Sequence, residues 1–494
     1  MQNNKKIKMN SVKYNFIMNS ILKMSAFIFP LITFPYVSRV LGAEGNGQVS
    51  FASAFVSYFA MVATLGIPTY GIRACAQCRD NKEQLSRTVH ELLIISMIMT
   101  IVSYVVMVLM ILTVPKLAGR ETIILISSIS ILLTSVGMEW FYQAIEQYGY
   151  ITYRNLAFKV VSVVFMFLFV HDRGDYILYA GINVLGTVGS NLMNLIRARK
   201  YIYFKPMKAY HLSKHMKPIM VFFLFSVTVQ IYTSMDTVML GFMSSDVQVG
   251  YYTAATKMKS ILVSLVTALG TVLLPRASYY IENEMEEKFS QIIRKSFQFV
   301  IAMALPITLF FMAEAKDTIM FLAGGEYINA VPAMMVITPT IFFIGLSNIT
   351  GMQVLVPLGL EKHTVISTLV GALVDLVLNT IFIPKFGAAG ASFGTLIAEG
   401  AVLIVQICQM AYLKKTKYLQ IDWRDTFKIC ISAIIALIAV IVFKHFCFIG
   451  NSLLNLISTA IVYFGCYSVL AIIFKENIVE ENILIPFIEK LRKK

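Results

Sequence analysis

Apolar runs of about twenty residues recur from one end of this chain to the other, and that recurrence limits what it can fold into more than any other feature. A helix needs about 20 such residues to cross the ~30 Å hydrocarbon core of a bilayer. Charged residues make up only 14% of the 494, where a soluble domain carries about 25%, and the mean hydropathy is +0.73. No stretch is left over for a soluble domain. The first run, from about Ile17 to Leu41, is too long for the apolar region of a signal peptide and is followed by no small-residue cleavage site, so it is expected to be the first span.

Reading the runs between polar breaks predicts fourteen helices, near 15–41, 48–72, 89–113, 122–144, 155–171, 176–198, 218–243, 249–275, 296–314, 332–356, 364–383, 391–413, 427–446 and 455–474. The stretch 316–323 (KDTIMFLA) is too short to span and predicts an interfacial turn of helix. The expected fold class is an all-α polytopic membrane protein.

Basic residues then orient the chain. Of 42 Lys and Arg, 32 fall in the end segments and alternate loops, and 6 in the opposite loops and helix ends. Cytoplasmic loops carry the excess of positive charge, so both termini are expected in the cytoplasm. The net charge of +15 then meets anionic lipid head groups, and no nucleic-acid partner is needed to explain it. The opposite loops (AEGNG, PKLAGRET, HDRGD, SSDVQ, PKFGAAG) are too short to house a catalytic domain. The chain contains no Walker loop, GxSxG or HExxH, so neither enzyme chemistry nor a cofactor is expected. Cys408, Cys430, Cys447 and Cys466 lie in or beside apolar runs. Cys75 and Cys78 form one CxxC, read as part of a short polar loop, with no second ligand pair to complete a metal site.

A weak internal echo divides the chain. RVLG (39–42), G47-x-x-S50-x-A52, IP (67–68) and Arg73 are matched by VMLG (238–241), G250-x-x-T253-x-A255, LP (274–275) and Arg276. Each set opens a block of six spans with the same direction, which predicts parallel repeats. The expected organisation is an N-terminal lobe over 1–205, a C-terminal lobe over 206–415, and two further helices with a cytoplasmic tail over 416–494.

Ionisable residues inside spans cost at least ~2.5–3.5 kcal/mol at the bilayer centre, so each needs a partner, a wet cavity or a role. Asp236 and Lys257 fall roughly 10–12 Å below the same surface on consecutive antiparallel helices at ~1.5 Å per residue, so they are placed to pair. Lys259, about 200° further round that helix, cannot share the direction of Lys257. Asp375 and Glu399, on spans eleven and twelve, match in depth; two such carboxylates in one cavity would raise a pKa and make a proton carrier. Asn379 sits one turn from Asp375. Lys23 and Arg39 lie on the first span, where the bland reading is snorkelling to the interface. Structural bridges and hydrogen bonds are the bland readings for the acidic residues, but a bundle of purely structural helices does not need so many buried charges. Pro30, Pro35, Pro306 and Pro339 interrupt spans and bend helices; Gly371, Gly387, Gly390 and Gly394 permit close approach.

The segment G137-M-E-W-F-Y-Q-A-I-E146-Q-Y-G-Y-I-T-Y-R154-N155 resembles the one joining spans four and five in Wzx-type polysaccharide (O-antigen and capsule) flippases of the multidrug/oligosaccharidyl-lipid/polysaccharide exporter superfamily. FPYVSRVLGAEGNGQVSFA (34–52), DYILYAGINVLG (175–186), DTVMLGFMSSDVQVGYYTAATKM (236–258) and IPKFGAAGASFGTLIAE (383–399) are also similar to that family. The resemblance implies two six-helix lobes around a central cavity in a bacterial cytoplasmic membrane. It implies an undecaprenyl-diphosphate-linked oligosaccharide as substrate, moved by alternating access against protons. Membrane lipids, a polysaccharide polymerase and assembly proteins are the implied partners. A diphosphate calls for cavity cations, which here would be Lys257, Lys259, Arg39, Lys23, Arg73 and Arg276. Asp236, Asp375 and Glu399 become the candidate proton carriers, and Glu139, Glu146 and Arg154 gate or fold residues. A drug or metabolite antiporter of the same superfamily is the nearest rival; it would need an acidic cavity for cationic solutes. A membrane polysaccharide polymerase or glycosyltransferase is the rival from another class; it would need long acceptor-binding loops.

Overall fold

The computed structural model describes residues 11–207, 209–419, 421–447 and 450–476. Lys208 and the basic segments at 1–10 and 477–494, used above to orient the chain, lie outside the described residues. The chain divides into two compact units at Gly250. The first holds α1 (Val12–Thr64), α2 (Ile67–Cys78), α3 (Lys82–Thr113), α4 (Glu121–Gly137), α5 (Glu139–Ala144), α6 (Tyr148–Phe169), α7 (Tyr176–Val188), α8 (Leu192–Ala198), α9 (Ser213–Met243) and the first residues of α10 (Asp246–Glu282). The second holds the rest of α10, then α11 (Glu286–Ala313), α12 (Ala315–Ala323), α13 (Val331–Ile337), α14 (Thr340–Asn348), α15 (Glu361–Tyr412), α16 (Trp423–Phe446) and α17 (Ser452–Ile473). No strand occurs among the described residues.

Among the described residues, ten segments are long and apolar enough to cross a membrane, and Gly325–Ile337 with Thr340–Leu355, bent by 41° beside Pro339, makes an eleventh. Thirteen of the fourteen predicted spans fall in this set, because two of its segments hold two spans each and one span is broken; the remaining one, span six, is made of two shorter helices. α1 breaks at Gly42 (φ 69, ψ −176) and α15 at Gly387 (φ 54, ψ −127), backbone regions that only glycine enters readily. At the second break the chain folds back: a Cβ on Gly390 would lie 2.4 Å from the Phe382 carbonyl oxygen, whereas eight residues of straight helix span about 12 Å. Predicted span six is α7 and α8 with a 3-10 turn, Gly189–Asn191, between them.

Each unit has its own core. In the first, Trp140, Phe141 and Tyr142 of α5 pack with Leu85, Val89 and Leu92 of α3, Ile151 of α6 and Ile219 of α9. In the second, Leu262 and Val266 of α10 pack with Phe289, Phe297, Val300 and Ile301 of α11. Side chains cap the long helices where the sequence provides them: Asn81 for α3, Asp422 for α16 and Asn451 for α17 each accept two backbone N–H bonds, filling donors that a helix start leaves open.

Several sequence expectations need correction. The second span ends at Thr64, where Leu65 (φ 50) and Gly66 (φ 88) turn left-handed, and the IP motif opens a separate helix, α2, with Pro68 in its first turn. Cys75 and Cys78 therefore sit on a helix and not in a loop. Residues 148–154, read as cytoplasmic loop before a span near 155–171, already belong to α6. The polar residues Tyr148, Tyr150, Tyr153, Arg154, Asn155 and Lys159 lower the hydropathy of its first half without breaking the helix, and Lys159 stands near its middle, not near its start. Predicted span four is two helices, split at Met138 (φ 44). The short stretch 316–323 is helical, as expected, within α12.

The echoed glycines meet inside the first unit. A Cβ on Gly47 would fall 1.8 Å from the Asp246 carbonyl oxygen, and one on Gly250 2.0 Å from that of Ala43. The pairs 47–246 and 43–250 exchange under the offset that maps Gly47 onto Gly250, so the contact is reciprocal. Only residues without a Cβ allow the two backbones to approach this closely.

Candidate functional site

The middle of α6 carries a cation, Lys159, that the charge count places with the loops although predicted span 155–171 contains it. Lys159 stands eleven residues from Tyr148 and ten from Phe169, about 16 Å in from one end. Its Nζ donates to Ser25 Oγ of α1 at 2.8 Å and lies 5.6 Å from the centre of the Phe29 ring. It lines a cavity of about 220 Å³ whose other polar walls are Thr33 of α1, Ser162 of α6, and Tyr179, Asn183 and Thr187 of α7. Local sequence shapes this space. Pro30 forms part of its wall and contributes no N–H. Gly186 lets α7 close on α6, since a Cβ there would sit 2.7 Å from Ser162 Oγ. A lysine so placed is retained at low cost only where water or an anion reaches it.

A second cation stands on an accessible polar stripe of α10. Thr253, Lys257, Ser260, Ser264 and Thr267 follow one another at helical spacing; Lys257 and Ser260 are exposed, Ser264 and Thr267 half-buried, and Thr253 at its start is buried. The apolar residues Leu262 and Val266 fill the core instead, with Met258 packed beside it. Ser260, Ser264 and Thr267 donate to carbonyls of their own helix, at 2.8, 2.6 and 2.8 Å, so the stripe offers oxygen lone pairs around one ammonium. Lys259 is half-buried off this stripe. Neither lysine has an ion-pair partner among the described residues.

The other predicted cations lie apart from these. Lys23 is exposed on α1, as is Arg39, whose Nη1 donates to the Pro35 carbonyl at 2.6 Å. Arg73 is exposed on α2 and Arg276 on α10. Asp236 is buried on α9; on the same helix Gln230 Nε2 donates to Ser57 Oγ of α1 at 2.6 Å.

The acidic residues of spans eleven and twelve are drawn inward. Asp375, Asn379 and Glu399 are all at most 4% exposed. A Cβ on Gly394, in the second arm of α15, would meet Asn379 Oδ1 at 2.4 Å and Asp375 Oδ1 at 3.0 Å on the first. Asp375 and Asn379 therefore lie at the packed seam of one helical hairpin, whose second arm carries the buried Glu399.

Glu139, Glu146 and Arg154 fasten one end of the first unit. Arg154 Nη2 donates to Glu139 Oε2 at 3.0 Å, and Arg79 Nη1 to Glu146 Oε1 at 2.8 Å. In the same segment the Trp140 ring stacks where a Cβ on Gly71 would be (2.6 Å), and Tyr142 Oη donates to the Asn194 carbonyl at 2.7 Å. Sequence reasoning missed two further clusters. Glu91, fully buried, accepts from His211 N, His215 Nε2 and Lys214 Nζ, each at 2.8 Å, while Tyr70 Oη meets His215 Nδ1 at 2.8 Å. Arg120 pairs with Asp246 at 2.9 Å and lies over the Phe51 ring at 4.5 Å. Glu91 was visible as an acid at the edge of a span, but its partners, about 120 residues on, were not.

This helical arrangement has the fold of a known class of membrane transporter. A lipid II flippase, MurJ, in its inward closed conformation superposes with a TM-score of 0.73 over 94% of this chain and 100% of that one, at 16% identity. A multidrug resistance MATE family transporter of the MOP superfamily, inward-facing, gives 0.58 over 81% and 99%, at 15% identity. Residues 12–281 match the family described as "Polysaccharide biosynthesis protein", and the chain belongs to that family. It is 23% identical over 427 residues to the "Putative O-antigen transporter" of Escherichia coli K12, covering 83% of this chain and 98% of that one. The Shigella dysenteriae protein of the same description is 23% identical over 401 residues, covering 80% and 98%.

Proposed function

We propose that this protein is a flippase that carries a lipid-linked oligosaccharide from the cytoplasmic to the outer leaflet for surface polysaccharide assembly. The observation that carries the reading is the pair of cations, Lys159 and Lys257, each on an accessible polar face far from the helix ends. The family and the description of its relatives as O-antigen transporters support the same class of cargo. An undecaprenyl diphosphate linker fits these sites, because its charge costs most to desolvate and ammonium groups offset that cost. The glycan would follow the hydroxyl-lined faces while the lipid tail stays in the bilayer.

The cycle is alternating access between two six-span lobes, 1–205 and 206–415, with 416–494 as an appended pair of helices, and both termini in the cytoplasm. The reciprocal Gly47–Gly250 contact supports a repeat of this kind. Asp236, Asp375 and Glu399 are the proposed proton carriers. Arg39, Lys23, Arg73, Arg276 and Lys259 would guide the anion at the approaches to the route, and Glu139, Glu146 and Arg154 would hold the fold at one end.

The test is translocation of a lipid-linked glycan in reconstituted vesicles, with and without a proton gradient. Lys159→Ala and Lys257→Ala should each slow translocation by about tenfold or more, the scale of one charge-assisted contact, while inserting normally. Wild-type rates in both variants would overturn the diphosphate assignment, and rates indifferent to the gradient would overturn proton coupling.

A further inference from the structure

A cavity of about 500 Å³ lies in the first unit, between the start of α1, the first half of α6 and α8. It is separate from the Lys159 cavity, sharing with it no lining residue. Two arginines bracket its Tyr150 ring: the guanidinium carbon of Arg197 is 3.9 Å from the ring centre and that of Arg154 is 5.6 Å. Arg154 is 5% exposed, and only its Nη2 is engaged, with Glu139. Its Nε and Nη1 are buried with no hydrogen-bond partner among the described residues, and so is Nε of Arg197. Guanidinium N–H groups left bare inside a protein are costly. These donors have the planar spacing that suits a phosphate.

We propose that this cavity binds the phosphodiester of an anionic membrane phospholipid. Charge selects the class: two guanidiniums against the single Glu139 carboxylate leave about one positive charge, which one phosphodiester neutralises. Surroundings select a lipid. Tyr14 and Tyr153 stand at the cavity, as tyrosines do at head-group depth. Ala157, Phe158 and Met193 continue its wall as apolar surface, with Met193 47% exposed, where acyl chains can lie. Gly149 seats Tyr14 against α6, since a Cβ there would be 2.4 Å from the Tyr14 hydroxyl. Basic pockets between spanning helices hold lipid head groups in this way.

The experiment uses the full-length protein purified in neutral detergent, with bound lipid counted by native mass spectrometry. Phosphatidylglycerol, phosphatidylcholine and inorganic phosphate are titrated separately. The expected result is retention of one phosphatidylglycerol at least about tenfold more tightly than phosphatidylcholine. Arg197→Gln, which removes the net positive charge, should lose that preference while melting within a few degrees of wild type, and Arg154→Lys, which keeps the charge but not the guanidinium fork, should weaken it. Equal retention of the two lipids by the wild type overturns the proposal without reference to any variant. Displacement of phosphatidylglycerol by millimolar inorganic phosphate would make the site one for the free anion and overturn the lipid assignment. A preference unchanged in both variants would place the lipid elsewhere.

Discussion

Glu91 shows what one buried charge does for this fold. Its carboxylate has no exposed surface and accepts from three donors, two of them on the first turn of α9 and one just before it. Removing one partner of a buried ionic cluster leaves the others uncompensated, at a cost of about 3–5 kcal/mol. Glu91→Ala should therefore lower the melting temperature markedly, and Glu91→Gln, which keeps two acceptor lone pairs, should lower it less. Equal melting of wild type and Glu91→Ala would mean that the cluster contributes nothing. The same scale shows where sequence reading stops. The acid was visible beside an apolar run, but His211, Lys214 and His215 read only as loop and helix-end residues until folding placed them beside it. Lys159 failed differently. Its neighbours Arg154 and Asn155 depress hydropathy, so the predicted span starts too late, and Lys159, then close to its start rather than at mid-helix, is counted with the basic loop residues.

At the scale of elements, glycine decides where long helices stop being straight. Gly42 and Gly387 hold positive-φ conformations in the middle of helices of 53 and 52 residues. A side chain there costs about 1–3 kcal/mol of backbone strain, so Gly387→Ala should reduce the yield of folded protein measured by size-exclusion chromatography. Gly47→Ala should be worse, because its Cβ would meet a backbone oxygen rather than a side chain able to move. Normal yield and melting for Gly47→Ala would show that the reciprocal crossing is looser than described. Most spans were legible because apolar runs of about twenty residues have few alternatives. Helix ends were less so. The left-handed turns at Leu65 and Met138 each lie beside a glycine, Gly66 and Gly137, but the apolar residues continue across them, and predicted span six is interrupted by the 3-10 turn Gly189–Asn191, where Asn191 Nδ2 donates to the Leu133 carbonyl.

For the whole molecule, the account stands on positive charge placed where the bilayer would otherwise exclude it. Lys159 and Lys257 occupy accessible polar faces of different helices, one in each unit, and each needs water for its charge to persist. The most direct test puts a single cysteine at Lys159 or Lys257 in a chain whose six native cysteines are replaced, and measures its reaction with a charged, membrane-impermeant thiosulfonate. Leu168→Cys, on a residue 59% exposed on α6, serves as the lipid-facing control. The account predicts that both lysine positions react readily and the control does not, and that a lipid-linked glycan protects them. Unreactive cysteines at both lysine positions, matching the control, would contradict it.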